Sequence, residues 1–233
     1  IAVVALTEIF RQAQTSLIIQ HAHSIREGKM PTFIAPENSP CDCYFIEKSN
    51  SDELTQVLKK LITERIPRKF SFSAEKDMQI LCPMHKGDHG TAAMNKHMQE
   101  WLNPKSLNNN EILGFREGDK VMQTRNNYDK EVFNGDSGTI VSIDNIHKQI
   151  QVQFDENRVL YNYDEIDELQ LAYAISIHKS QGSEFPCVII PITTSQYMML
   201  ERNLIYTAMT RGRKLLILVG QKKALRIALQ KTT

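Results

Sequence analysis

Cysteine is scarce in this sequence: Cys41, Cys43, Cys82 and Cys187 are the only four among 233 residues. So few thiols, most of them beside apolar runs, argue against a disulfide scaffold and fit a reducing, cytoplasmic compartment. Tryptophan occurs once, at Trp101, where it reads as a packing residue with base stacking as the alternative. An excess of charge is missing too, since 28 Lys and Arg against 27 Asp and Glu leave +1. The net count gives no sign of a nucleic-acid partner, although positive charge gathered in one groove would not show in it. No run approaches the roughly 18 consecutive apolar residues of a spanning helix, so no membrane partner is expected. No G-x-x-x-x-G-K-[ST] occurs, and no acidic pair follows an apolar strand. The chain therefore has no loop of its own to cradle phosphates or hold Mg2+.

What is present is alternation. The opening run, IAVVAL, has no Met and no polar lead-in, and reads as a cut inside a longer protein. Short β-rich apolar runs at 2–6, 43–46, 78–82, 187–192 and 215–219 alternate with helix-period stretches at 16–27, 51–63, 91–102 and 202–210. Apolar strands separated by amphipathic helices predict an α/β fold, a parallel sheet with helices on both faces. Ser51, followed by Asp52 and Glu53, reads as an N-cap. Gly220 should close the last strand, with a basic helix following from Gln221.

The rhythm breaks from about 111 to 170. Ile150, Val152 and Phe154 alternate with Gln149, Gln151 and Gln153, the period of a half-buried antiparallel strand. Asn134 with Gly135, and Ser137 with Gly138, read as turn pairs. Some sixty residues of this kind predict a small SH3-like β-barrel inserted into the sheet domain, with an extended β-arm as the alternative. The expected division is 1–110, 111–170 and 171–233.

Three segments carry chemistry. In AYAISIHKSQGSEFP (172–186) a strand ends in a loop bearing an imidazole, an ammonium, hydroxyls, an amide, a glycine and a carboxylate. The carboxyl end of a parallel strand is where α/β proteins place ligand sites, and a solvated loop is the alternative. In LIYTAMTRGRK (204–214) a helix is expected to run to Gly212, with Arg211 and Arg213 at its end. Those cations either complement the helix dipole or make Arg211 a finger toward a γ-phosphate. LTEIFRQAQ (6–14) alone reads as ordinary helix entry. A fourth segment, HKGDHG (85–90), leads into a helix whose N-terminus would favour phosphate. Lys86 and Thr91 are the expected DNA-backbone contacts there, with a plain structural turn as the alternative.

Taken together and in order, these segments resemble motifs IV, V and VI of the RecD/TraA group of superfamily 1 DNA helicases. ILCPMHKGDHGTAAMNKHMQEWLNP and GDKVMQTRNNYDKEVFNGDSGTI are similar to that group as well, so the resemblance spans nearly the whole chain. It implies a RecA-like second motor domain carrying an SH3-like insertion, in an ATP-dependent 5′→3′ helicase. It implies that Arg11 and Arg211 touch the γ-phosphate, with Gln12 supporting the first. Gly182 and Glu184 fall to the nucleotide, and His178, Lys179, Ser180 and Gln181 to single-stranded DNA. ATP and Mg2+ are the implied cofactors, bound in the full-length protein by an upstream RecA-like domain. Single-stranded DNA, duplex junctions and the subunits of a recombination complex of the exodeoxyribonuclease V kind are the other implied partners. The fragment alone is expected to be inactive.

No metal site is expected. Cys41, Cys43, Cys82, His85 and His89 match no zinc-finger spacing, and no Asp/Glu/Lys cluster suggests a nuclease centre. His21 and His23 read as surface or packed residues. The competing reading of the chain is a non-catalytic nucleic-acid- or protein-binding module whose working surface is the barrel.

Overall fold

The computed structural model describes residues 16–33, 41–106, 110–155 and 157–231. The expected strand at 2–6, with Arg11 and Gln12, lies outside them. Helix α1 (Leu17–Arg26) precedes β1 (Cys43–Glu47) and α2 (Ser51–Lys60). A π-helical turn, Leu61–Arg65, then continues α2 into α3 (Ile66–Phe70), so this helical stretch runs past the expected end at 63. Strand β2 (Met78–Cys82) and helix α4 (Thr91–Leu102) follow. The cap of α2 is Asn50, not Ser51: its side chain accepts from the Asp52 and Glu53 amides at 2.8 and 3.2 Å. An amide oxygen one residue outside the helix meets the free N–H groups that a residue already helical cannot reach.

After α4 the chain leaves the first sheet. It makes the short hairpin β3 (Glu111–Ile112) and β4 (Phe115–Arg116), then β5 (Lys120–Gln123), β6 (Ser137–Asp144), β7 (Gln149–Phe154), β8 (Asn157–Asn162) and β9 (Leu169–Leu171). The last five form an antiparallel sheet in the order β8-β7-β6-β5-β9. They wrap a core of their own that includes Val121, Ile140, Ile150, Val152, Tyr161 and Leu169. This excludes an extended arm. Gly135 takes the expected positive φ (103°), whereas Gly138 is a strand residue.

The chain returns at β10 (Ala174–Ser176) and continues through β11 (Phe185–Ile192), α5 (Arg202–Met209), β12 (Gly212–Gly220) and α6 (Lys222–Gln230). The first sheet is parallel throughout, in the order β1-β12-β11-β2-β10. Strand alternation sends Val188, Ile190, Leu216 and Leu218 toward α1, α5 and α6. Cys187, Ile189, Leu215 and Ile217 go to the face covered by α2, α3 and α4. Both faces are dry, which is why these strands read as unbroken apolar runs. The α/β class with a small β insertion is thus observed. No helix among the described residues is long and apolar enough to cross a membrane.

Candidate functional site

Strand β10 is an edge strand, and its free side is closed by one residue of α4. Asn95 Nδ2 donates to Ala174 O, and Ala174 N donates to Asn95 Oδ1, both at 2.8 Å. That clasp satisfies a backbone pair that an edge would leave open. Beyond Ser176 the Ile177 amide donates to Cys82 O (3.1 Å), and residues His178–Ser180 form one 3-10 turn. Gly182, at φ 85°, reverses the chain into β11. A left-handed conformation there favours glycine.

His178, Lys179, Gln181 and Glu184 project from this loop as exposed residues. Ser180 does not. It is 0% exposed, and its hydroxyl donates to Ile177 O at 2.7 Å. Its expected place on DNA is therefore corrected: the hydroxyl closes the turn from inside, because a buried hydroxyl needs a partner and the nearest carbonyl supplies it. Partial burial holds the Lys179 ammonium below the usual lysine range.

A cavity of 410 Å³ separates this loop from the one after β2, with His85, Thr91, Asn95, Gln170, Ser176 and Lys179 among its walls. It brings Lys179 and Thr91 together across two loops. Thr91 is buried, its hydroxyl 2.7 Å from His85 Nδ1. The Thr91 and Ala92 amides donate to Met84 O and His85 O at 3.1 and 3.2 Å. The expectation of free N–H groups at this helix start is therefore corrected for its first two amides, which local carbonyls already occupy. Lys86 stays exposed on the same loop.

On the opposite flank of the loop lie the two arginines. Helix α5 stops at Met209, not at Gly212, which opens β12. Thr210 Oγ1 donates to Thr207 O at 2.9 Å, and the Arg211 amide donates to Ala208 O at 3.2 Å, so the last turn is satisfied without a glycine cap. The Arg211 guanidinium folds back along this turn. It donates to Thr207 O (3.3 Å), Thr210 Oγ1 (3.2 Å) and Ser183 O (3.1 Å). The Phe185 amide in turn donates to Arg211 O at 2.8 Å. Arg213, expected as a helix-end cation, is a strand residue whose Nε lies 3.3 Å from Glu184 Oε2. Glu184 and Arg213 line a second cavity of 530 Å³, together with Ser16, His23, Tyr206 and Thr210. Arg26 and His23 cover the Tyr206 ring at 5.5 and 6.1 Å.

Sequence reasoning missed the joint between the two sheets. Asp119 is 0% exposed and accepts from Gln99 Nε2 (2.5 Å), Asn103 Nδ2 (2.8 Å), the Arg116 amide (2.8 Å) and Tyr173 Oη (3.1 Å). Gln79 Nε2 donates to Ala172 O and Tyr173 O, both at 3.0 Å, while its Oε1 accepts from Lys120 Nζ at 3.0 Å. Burial pushes the Lys120 ammonium down to about 8. The signal was there to read: Asn95 and Gln99 share the buried face of α4 with Met94 and Met98.

Comparison with known proteins gives these features a context. Residues 171–219 match the UvrD-like helicase C-terminal domain, and residues 94–154 match the ATP-dependent RecD-like DNA helicase SH3 domain. The ATP-dependent RecD2 DNA helicase of Deinococcus radiodurans is 32% identical over 226 residues, covering 97% of this chain and 30% of that protein. The RecBCD enzyme subunit RecD of Buchnera aphidicola is 28% identical, covering 80% of this chain and 33% of that protein. The chain thus spans about a third of the length of these relatives. The crystal structure of Pif1 helicase from Bacteroides in complex with ADP-AlF3 and single-stranded DNA shares the fold. Its TM-score is 0.58 at 21% identity, over 98% of this chain and 54% of that one. The chain thus carries a UvrD-like helicase C-terminal domain and a RecD-like SH3 domain, and RecD helicases are among its relatives.

Proposed function

We propose that this chain is the second motor segment of an ATP-dependent 5′→3′ DNA helicase, working against a separate segment that holds the nucleotide phosphates and Mg2+. Arg211 serves as the finger on the γ-phosphate, with Arg11 as its counterpart and Gln12 beside it. Gly182 and Glu184 face the nucleotide. His178, Lys179, Gln181 and Lys86 face single-stranded DNA. The fragment by itself turns over no ATP, because one half of the nucleotide site is elsewhere. Duplex junctions and, in the manner of RecD subunits, other recombination proteins are the proposed partners of the full-length protein.

The observation that carries this reading is the bond from Arg211 to Ser183 O. The loop that presents His178 and Lys179 on one flank is tied on the other flank to the finger arginine. A change in what Arg211 contacts therefore pulls on the loop proposed to grip DNA. A guanidinium suits the task because it is always charged and forks two hydrogen bonds. The test is DNA-stimulated ATP hydrolysis by the full-length protein. Arg211→Ala should lower turnover by roughly 10³–10⁵ with nucleotide affinity largely kept, since a finger acts mainly on charge developing in the transition state. Arg211→Lys should rescue poorly. Normal hydrolysis by Arg211→Ala would end this reading.

A further inference from the structure

The helicase motifs leave Arg213 without a task, and the structure supplies one. Arg211 and Arg213 flank Gly212, where β12 begins, and each grips a consecutive residue of the loop before β11. Arg211 Nη1 binds Ser183 O at 3.1 Å, and Arg213 Nε pairs with Glu184 Oε2 at 3.3 Å. Both members of the second pair line the 530 Å³ cavity, beside Tyr206 and Thr210. A glutamate on an exposed loop samples many rotamers, and a guanidinium tether narrows them toward the cavity. We infer that Arg213 is a positioning residue, holding the Glu184 carboxylate where it accepts from the ribose hydroxyls of the nucleotide. This rests on the placement of the nucleoside at Glu184 proposed above. It divides the labour of the two arginines: Arg211 acts on the phosphoryl group, and Arg213 acts on substrate affinity through Glu184.

The pair is 66% and 56% exposed, so its contribution to folding is small. Its loss should therefore show in kinetics and not in melting. The experiment is steady-state ATP hydrolysis by the full-length protein with saturating single-stranded DNA, using ATP, 2′-deoxy-ATP and 3′-deoxy-ATP as substrates. Arg213→Ala should raise KM for ATP about tenfold, the effect of loosening one charge-assisted hydrogen bond, with kcat nearly unchanged. KM for the deoxynucleotide lacking the bound hydroxyl should stay as in the parent, so the preference for ATP closes. Arg213→Lys should restore most of it. Glu184→Ala separates the two ways to fail. If Glu184→Ala raises KM and Arg213→Ala does not, the positioning role is overturned and the nucleoside placement survives. If Glu184→Ala leaves KM unaltered, the placement itself is wrong and the inference falls with it. A loss of kcat in Arg213→Ala at unchanged KM also overturns it.

Discussion

The parallel sheet meets its surroundings at two joints built in opposite ways. Where the inserted strands join it, a carboxylate with no exposed surface, Asp119, takes four donors from three segments: the end of α4, β4 and Tyr173. Where the loop of residues 177–184 meets the end of α5, the ties are single bonds to carbonyls and one exposed ion pair. A fully satisfied polar network in a dry setting is rigid, because each member that loses its partner leaves an unpaired buried group. A wet contact exchanges with water at little cost. The first joint therefore fixes the barrel to the sheet. The second is free to rearrange, as a loop proposed to read two ligands must.

That contrast can be broken in several places. The largest expected effect is on catalysis at the wet joint, the loss of turnover in Arg211→Ala, with a melting curve close to the parent's. The next falls on stability at the dry joint. Asp119→Ala should cost about 3 kcal/mol or more, because it strands donors on buried Gln99 and Tyr173 and on half-buried Asn103. Urea melts of the described chain check it. A change under about 1 kcal/mol would mean the joint is wetter than its geometry indicates.

Lys120 gives the dry joint a pH signature. Burial lowers its ammonium from 10.5 to about 8 in the folded chain. Below 8 the folded and unfolded forms are both charged, and the fold carries the whole cost of burying the cation. Between 8 and 10.5 the unfolded form binds more protons, so this lysine makes stability rise with pH across that window. The rise is on the order of 3 kcal/mol at most. Lys120→Met should flatten that segment of the stability profile measured by denaturant melts from pH 7 to 10.5. A profile equally steep in the variant would assign the slope to other groups. The smallest effect belongs to the wet joint again: Arg213→Ala and Glu184→Ala should each shift stability by less than about 1 kcal/mol, read from the same melts.

Much of the architecture was legible because burial has a local signature. Strand β2 and helix α4 begin and end where the apolar period placed them, at Met78–Cys82 and Thr91–Leu102. The Gln-alternating run is strand β7, its apolar residues buried. Local pattern failed where the deciding partner was a neighbour of another kind. Asn50 displaced Ser51 as cap because helix entry geometry, not residue type, chose it. Gly212 went to a strand because Thr210 and Arg211 had already closed the turn before it. Of the candidate DNA contacts, Ser180 turned inward, and Thr91 was taken by His85. Nothing in HKSQ distinguishes a hydroxyl facing solvent from one facing its own backbone.

The sequence by itself determined the alternation of strands and helices and the interruption by short antiparallel strands. Those follow from the periods of apolar residues and from local turn chemistry, which act over a few positions. Only the tertiary structure decided which polar groups meet. Gln79 reaches Tyr173 across 94 positions, and Asn95 reaches Ala174 across 79. Glu184 finds Arg213 only because β11 and β12 lie side by side. A hydrogen bond depends on atoms within about 3 Å, and no pattern along the chain encodes a distance that only packing sets.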